Sequence, residues 1–354
     1  MQHRSSRPGR SARVLVPVLG LLVAGCGGDG EDDAAGDTAD AGAESCYEGE
    51  TTTFVIPYPP GGGYDTIARA LAPTLEDELG ATVVVQNQPG AGGLTAANTL
   101  YEGEPDGLTF AIMPGVGILA ASLAGVEGAG YDPLEFSFVA RVAPDERLMV
   151  TGPPSGFETI EDVLATDGPV RFAATGPGGG DYIDATVVSR ILDLDGDVVS
   201  GFAGSGETAL AVTTGDVDAV FSSVAGLLAG VEAGDLIPVM VAGVERAQDL
   251  PDVPALLELD LNDDQLALAE AHSQLQQAGR SIVAAPDVPE DCLGELEAAF
   301  QAAVENPEVL ELIEDSHEHL SFLSGADLEG IYRSVMEDSP EEYVSLLTEA
   351  FAGQ

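Results

Sequence analysis

Pro59-Pro60-Gly61-Gly62-Gly63-Tyr64-Asp65 and Asn87-Gln88-Pro89-Gly90-Ala91-Gly92-Gly93 each follow a β-rich run and precede a run of helical periodicity. Thr51 to Ile56 predicts a first strand and Tyr64 to Leu79 a first helix stopped by Gly80, and Ala81 to Val85 with Leu94 to Tyr101 repeats the unit. Strands alternating with helices through short glycine turns predict parallel α/β topology, in which ligands gather at the carboxyl ends of the strands. Both glycine stretches occupy that edge. Successive peptide N–H groups without Cβ atoms in the way, leading into helix N-termini of positive dipole, can hold a carboxylate with no charged side chain.

Further along, Pro105-Asp106-Gly107 is a turn before the strand Leu108 to Met113, and Phe136 to Val150 is extended chain interrupted at Pro144-Asp145. Gly152-Pro153-Pro154 follows as a crossing between domains. Val170 to Ala174 is a strand running into a third glycine turn, Thr175-Gly176-Pro177-Gly178-Gly179-Gly180-Asp181-Tyr182, and a helix to Leu192. Thr208 to Thr214 (helix, stopped by Gly215), Val217 to Phe221 and Leu236 to Ala242 (strands) repeat the logic in a second domain. Asp263 to Gln277 is an acidic amphipathic helix, Ser281 to Ala285 a returning strand, and helices Pro289 to Glu305, Pro307 to Glu314 and Leu328 to Phe351 close the chain. The organisation expected is lobe 1 from residues 51–147 and 281–354 and lobe 2 from residues 148–280, joined by two crossings with a cleft between them.

The N-terminus carries arginines, an apolar run from Val14 to Val23, and Leu22-Val23-Ala24-Gly25-Cys26. Residues 1–26 therefore read as a secretory signal of the lipoprotein kind, with Cys26 lipidated, or as a plain signal with an incidental cysteine. Residues 27–50 are Gly, Asp, Ala, Glu and Thr with little to bury, a disordered acidic tether. This order describes an extracytoplasmic protein held at the membrane surface. In such a compartment Cys46 and Cys292 invite a disulfide, with two free buried thiols as the alternative.

All 12 basic residues are Arg, Lys is absent, and 61 acidic residues give a formal charge of −49. Arg4, Arg7, Arg10 and Arg13 precede Cys26, so the chain beyond it sets 8 arginines against 61 acids, a charge of −53. Nucleic acid is excluded as a default partner, because phosphate binding needs clustered cations. The acidic surface reads either as a solvated shell for a salty medium or as a solubility device in an Arg-biased composition.

The ordered set Pro59-Pro60-Gly61-Gly62 with Asp65, Arg69, Asn87 with Pro89-Gly90-Ala91-Gly92-Gly93, Pro105-Asp106-Gly107, Thr175-Gly176 with Gly178, Gly204 with Gly206, Gly215-Asp216-Val217-Asp218, and Arg246 followed by Leu250-Pro251-Asp252-Val253-Pro254 resembles the extracytoplasmic solute-binding proteins of tripartite tricarboxylate transporters, the Bug-type family. The resemblance runs from about Thr51 to the C-terminus. It implies an α/β, two-lobed periplasmic-binding-protein-like (type II) fold with a central ligand cleft, closing on a small organic carboxylate and serving a membrane permease. It further implies a first wall of Tyr58, Pro60, Gly61, Gly62, Gly63 and Asp65, braced by Asn87, Gly90, Ala91, Gly92 and Gly93. Thr175, Gly176, Gly178, Gly179 and Gly180 would answer from the second lobe, and Asp218 would organise donors. The chain departs from the family at Gln86, at Gly179, which lacks a hydroxyl, at Tyr182, which adds a phenol, and at Ala255.

Enzymatic chemistry lacks its residues. Without Lys there is no Schiff base, and the sequence has no Gly-x-Ser-x-Gly elbow, His-Glu-x-x-His pair, Walker loop or dinucleotide fingerprint, so neither cofactor nor metal is called for. His272 lies on the acidic helix, and His317-Glu318-His319 reads as a solvated turn. A transport-associated carboxylate receptor is the leading reading. A ligand sensor of the same fold signalling to a membrane partner, and an exported hydrolase or isomerase, are the alternatives.

Overall fold

The computed structural model describes residues 45–176, 179–314 and 316–352; the expected signal segment with Cys26, most of the expected tether, and Gly178 lie outside the described residues. Its strands are β1 (Thr51–Ile56), β2 (Thr82–Asn87), β3 (Thr109–Pro114), β4 (Ser137–Ala143), β5 (Arg147–Thr151), β6 (Val170–Ala174), β7 (Gly196–Ser200), β8 (Ala219–Ser223), β9 (Ile237–Val241), β10 (Arg280–Ala284) and β11 (Leu323–Ser324). They form two sheets, ordered β11-β4-β10-β3-β1-β2 and β7-β6-β8-β5-β9. This is the α/β, two-lobed architecture.

The sheets are mixed rather than parallel, which corrects the topology expected from sequence. β1 pairs in parallel with β2 and β3, and β6 with β7 and β8. β10 is antiparallel to β3 and β4, and β5 is antiparallel to β8 and β9. The reason is the route of the chain. β4 ends at Ala143, opposite Arg280, and the chain passes through Pro144–Glu146 directly into β5; β10 enters the first sheet after the helix Asp263–Gln276. A strand that arrives from the facing sheet starts at the edge where its neighbours finish, so it must run against them.

Packing explains both successes and failures of the periodicity. The helix Gly63–Leu79 buries Ile67, Ala68, Leu71, Ala72, Leu75 and Leu79 on one face, and Gly80 takes φ 62° to end it, a conformation glycine adopts without Cβ strain. That face meets Phe54, Phe110 and Phe300, whose ring centroids lie 5.2–5.6 Å apart. The helix Gly115–Leu123 buries every residue from Gly115 to Ala121, so it shows no amphipathic period for a sequence reading to detect. The expected helix Leu328 to Phe351 is two helices, Gly325–Asp338 and Glu341–Ala352, because Pro340 lacks an N–H and pushes Ser339 to ψ 132°. The second of these packs on Gly115–Leu123 and on Gly180–Ile191, one helix from each sheet's side, within a core that includes Leu119, Ile183, Leu275 and Leu347.

At the chain's described start, Cys46 and Cys292 form a disulfide, and Tyr47 is fully buried with its hydroxyl donating to the Cys292 carbonyl at 3.1 Å. The bridge closes a sequence separation of 246 residues. Cys46→Ser with Cys292→Ser is expected to lower unfolding free energy by about 2–4 kcal/mol, read as a lower urea midpoint in the absence of reductant. A midpoint equal to wild type would show that Tyr47 and its hydrogen bond hold the segment unaided.

Candidate functional site

Both sheets bring their loops to one cleft of about 780 Å³. Its rim is built from helix starts. On the first side the helices Gly63–Leu79 and Gly115–Leu123 begin there, and on the second Gly180–Ile191, Ser205–Thr214 and Val224–Glu232; the loop before Leu94–Tyr101 lines the cleft only as far as Gly92. Four of these five starts, at Gly62, Pro114, Gly179 and Gly204, have no side-chain cap; Ser223 caps its helix, accepting from the Gly226 N–H. Away from the cleft, Thr159, Asn262 and Ser324 cap their helices, while Glu290–Glu305, which starts at Pro289, has no side-chain cap. An uncapped start leaves N–H donors for a ligand and carries roughly half a positive charge.

Tyr58, Pro60, Gly61, Gly62, Gly63, Gly90, Ala91 and Gly92 line the first side of the cleft, and Thr175, Gly176, Gly179 and Gly180 the second. Left-handed backbone shapes both loops: Gly61 takes φ 94°, and Ala91 φ 48° in the turn that aims the second loop. The Tyr58 hydroxyl donates to the Gly92 carbonyl at 3.5 Å, tying the two loops together.

Other expected residues stand behind the wall. Asp65 accepts from the Gly61 N–H at 2.9 Å, from Arg69 at 3.0 Å and from Asn87 at 3.0 Å, while Asn87 also donates to the Tyr58 carbonyl. These bonds use up the carboxylate and the amide, so Asp65 and Asn87 shape the loop instead of lining the cleft. Gly93 is pressed against Pro114, where a Cβ would lie 3.0 Å from its ring. Tyr182 is not part of the lining. Asp218 precedes β8 and so sits at the far, amino end of that strand, paired with Arg171 at 2.7 Å; the structure does not bring it to the cleft.

Sequence reasoning missed the floor. Arg147 and Arg280, the first residues of the two strands that enter across the cleft, both line it, which corrects the expectation of a grip free of cationic side chains. Arg280 is 3% exposed, gives both terminal nitrogens to Glu318, and lies 4.9 Å from the Tyr64 ring centroid. Arg147 donates from Nε to Asp184 Oδ2 at 2.7 Å. Asp184 is fully buried; its Oδ1 accepts from Gln276 at 2.8 Å and lies 3.2 Å from His272 Nε2, whose Nδ1 is 3.0 Å from the Tyr343 hydroxyl. Burial pushes the Asp184 carboxyl up, but Arg147 and His272 outweigh it and hold the pKa below its ordinary value. Burial alone would weaken the charge of Arg147 and Arg280, yet the facing carboxylates raise both, so both stay cationic. Asp181 is tied to the Thr175 N–H at 2.6 Å and the Tyr182 N–H at 2.9 Å; burial nonetheless raises its pKa. Glu318, expected in a solvated turn, is instead a buried counter-ion, and His272 is a core residue. The available signal was a charged residue heading each apolar strand, after Pro144-Asp145 and after Gly279.

Two sheets joined by entering strands over one ligand-sized cleft define the two-lobed periplasmic-binding-protein fold. Residues 67–328 match the family model described as tripartite tricarboxylate transporter family receptor, and the chain belongs to that family, one of receptors and not of enzymes. Protein BugT of Bordetella pertussis is 28% identical over 253 residues, covering 69% of this chain and 73% of that protein. MatC from Rhodopseudomonas palustris with bound malate superposes with a TM-score of 0.68 at 22% identity, over 84% of this chain and 99% of that one. R. palustris Rpa4515 with adipate gives 0.69 at 20% identity, over 85% and 97%. These two likenesses establish the fold.

The Asp65 hub is testable by pH. Burial raises its pKa, but the bonds from Arg69, Asn87 and Gly61 outweigh that and leave it lowered. A lowered folded pKa gives stability that is present above the unfolded value near 4 and lost as pH falls through the folded value. Asp65→Asn is expected to lose about 1–3 kcal/mol at pH 7, with the gap to wild type closing toward pH 2 in urea melts. Equal stability at pH 7 would contradict the hub.

Proposed function

We propose that the protein is an extracytoplasmic receptor, anchored to the membrane through lipid on Cys26, that captures a small organic carboxylate between its lobes and passes it to a tripartite tricarboxylate-type permease. The observation that carries this reading is the cleft itself: four uncapped helix starts and two arginines, Arg280 buried and Arg147 part-buried, converge on it in a chain of formal charge −49. Such a concentration of donors and positive potential has an anion as its natural occupant. Family membership supports the permease partner. The malate bound to MatC and the adipate bound to Rpa4515 support the ligand class. The lipobox-like Leu22-Val23-Ala24-Gly25-Cys26 supports the anchor, and no helix among the described residues is long and apolar enough to cross a membrane.

A melting screen across mono-, di- and tricarboxylates tests the reading. A cognate acid at a hundredfold excess over its Kd adds about 2.7 kcal/mol and raises Tm by several degrees. Gly62 faces the cleft with extended backbone, and a Cβ there meets nothing within 4 Å. Gly62→Trp should therefore keep the unliganded Tm and lose the ligand shift. Stabilisation by sugars or cations and by no acid would overturn the ligand class.

A further inference from the structure

We propose that Arg147 is the specificity-determining residue of the cleft, taking a second carboxylate of the ligand with its two terminal nitrogens. The inference rests on the receptor reading above and goes beyond it, because it assigns the far end of the ligand to one side chain. Arg147 spends only Nε on Asp184; among the described residues neither terminal nitrogen has a hydrogen-bond partner. The side chain is 12% exposed, and that exposure is to the cleft it lines. Arg280 differs, since both of its terminal nitrogens are held by Glu318. One fork on the floor is taken and the other is open.

The open fork is fixed in place. Asp184 holds its inner edge, and Gln276 and His272 hold Asp184 from behind. Gly180 leaves the guanidinium uncovered, since a Cβ at that position would lie 3.3 Å from Cζ and from one terminal nitrogen. A planar pair of parallel N–H donors, already oriented, matches a carboxylate in bidentate geometry. Arg147 belongs to the second sheet, whereas the bare amides of Gly62 and Gly63 belong to the first. A diacid with one carboxylate on each would span the cleft and gain from both sides only when they face it together.

Two acids also face this fork. Asp181 is committed to Thr175 and Tyr182, while Asp145 lines the floor near both arginines with no hydrogen bond or ion pair among the described residues. If Asp145 rather than Arg147 met the far end of the ligand, that end would be an amine. Three probes of equal length separate the cases: butyrate, succinate and 4-aminobutyrate, differing only in an apolar, anionic or cationic terminus.

Calorimetry on the intact protein should rank succinate tightest, by about tenfold or more over butyrate, the strength expected of a charged hydrogen-bond pair. Arg147→Lys keeps the charge beside Asp184 but loses the fork, and Arg147→Gln with Asp184→Asn removes both members of the buried pair. In each the succinate-to-butyrate ratio should collapse toward one. A ratio of one in wild type, an unchanged ratio in both variants, or preference for 4-aminobutyrate overturns the assignment while leaving a carboxylate receptor standing. Binding of none of the three, nor of longer diacids, sinks the receptor reading with it.

Discussion

The cleft exists because both sheets finish on it. β1, β3, β6, β7 and β8 deliver their carboxyl ends, and with them the N-terminus of the helix that follows, to the same edge, and the two strands that cross between sheets deliver their first residues there. Helix starts are the one place where a protein has surplus backbone donors. Elsewhere in this chain hydroxyl or amide side chains satisfy such starts at Thr159, Asn262 and Ser324; at the cleft glycine and proline leave them open. The glycine-rich loops are therefore not merely tight turns. They keep donors exposed that any capping side chain would consume.

In a chain of formal charge −49, the anion site proposed here needs its positive potential to be local. Helix dipoles act within about the last turn and are fixed in direction, and salt screens surface charge over a distance of about 10 Å or less. The acidic shell and the cleft can thus coexist. The two arginines sharpen the contrast. Each is largely buried with a carboxylate, and removing a partner from such a pair is strongly unfavourable because the remaining charge is stranded. Asp184 and Glu318 permit the cations to be there at all, and the neutral, half-buried phenols of Tyr58 and Tyr64, with rings 4.8 Å apart, fill the space beside Arg280.

Much of this was legible in the sequence where local signals and tertiary demands agree. Leu94 to Tyr101 and Val170 to Ala174 fall where glycine punctuation and periodicity put them. Gly115–Leu123 did not show itself because burial on all sides erases the period, and Val224–Glu232 because Ser223 is both the last strand residue and the cap. The wall loops were visible as bare backbone, since their role needs nothing but missing Cβ atoms. Arg147 and Arg280 were not, because their position depends on which strands enter from the facing sheet, a property of topology. Asp218 shows the converse: the expected strand from Val217 to Phe221 becomes Ala219–Ser223, which leaves the acid just before the strand's amino end, opposite the cleft edge.

The central claim is that main-chain donors at the cleft edge bind the ligand's carboxylate. Amide NMR of the glycine-labelled protein, titrated with the acid that raises its Tm most, addresses it directly. The account predicts that the resonances of Gly62, Gly63 and Gly180 shift together and saturate with a single Kd. It is contradicted if those three stay still while glycines remote from the cleft, such as Gly215 or Gly294, respond.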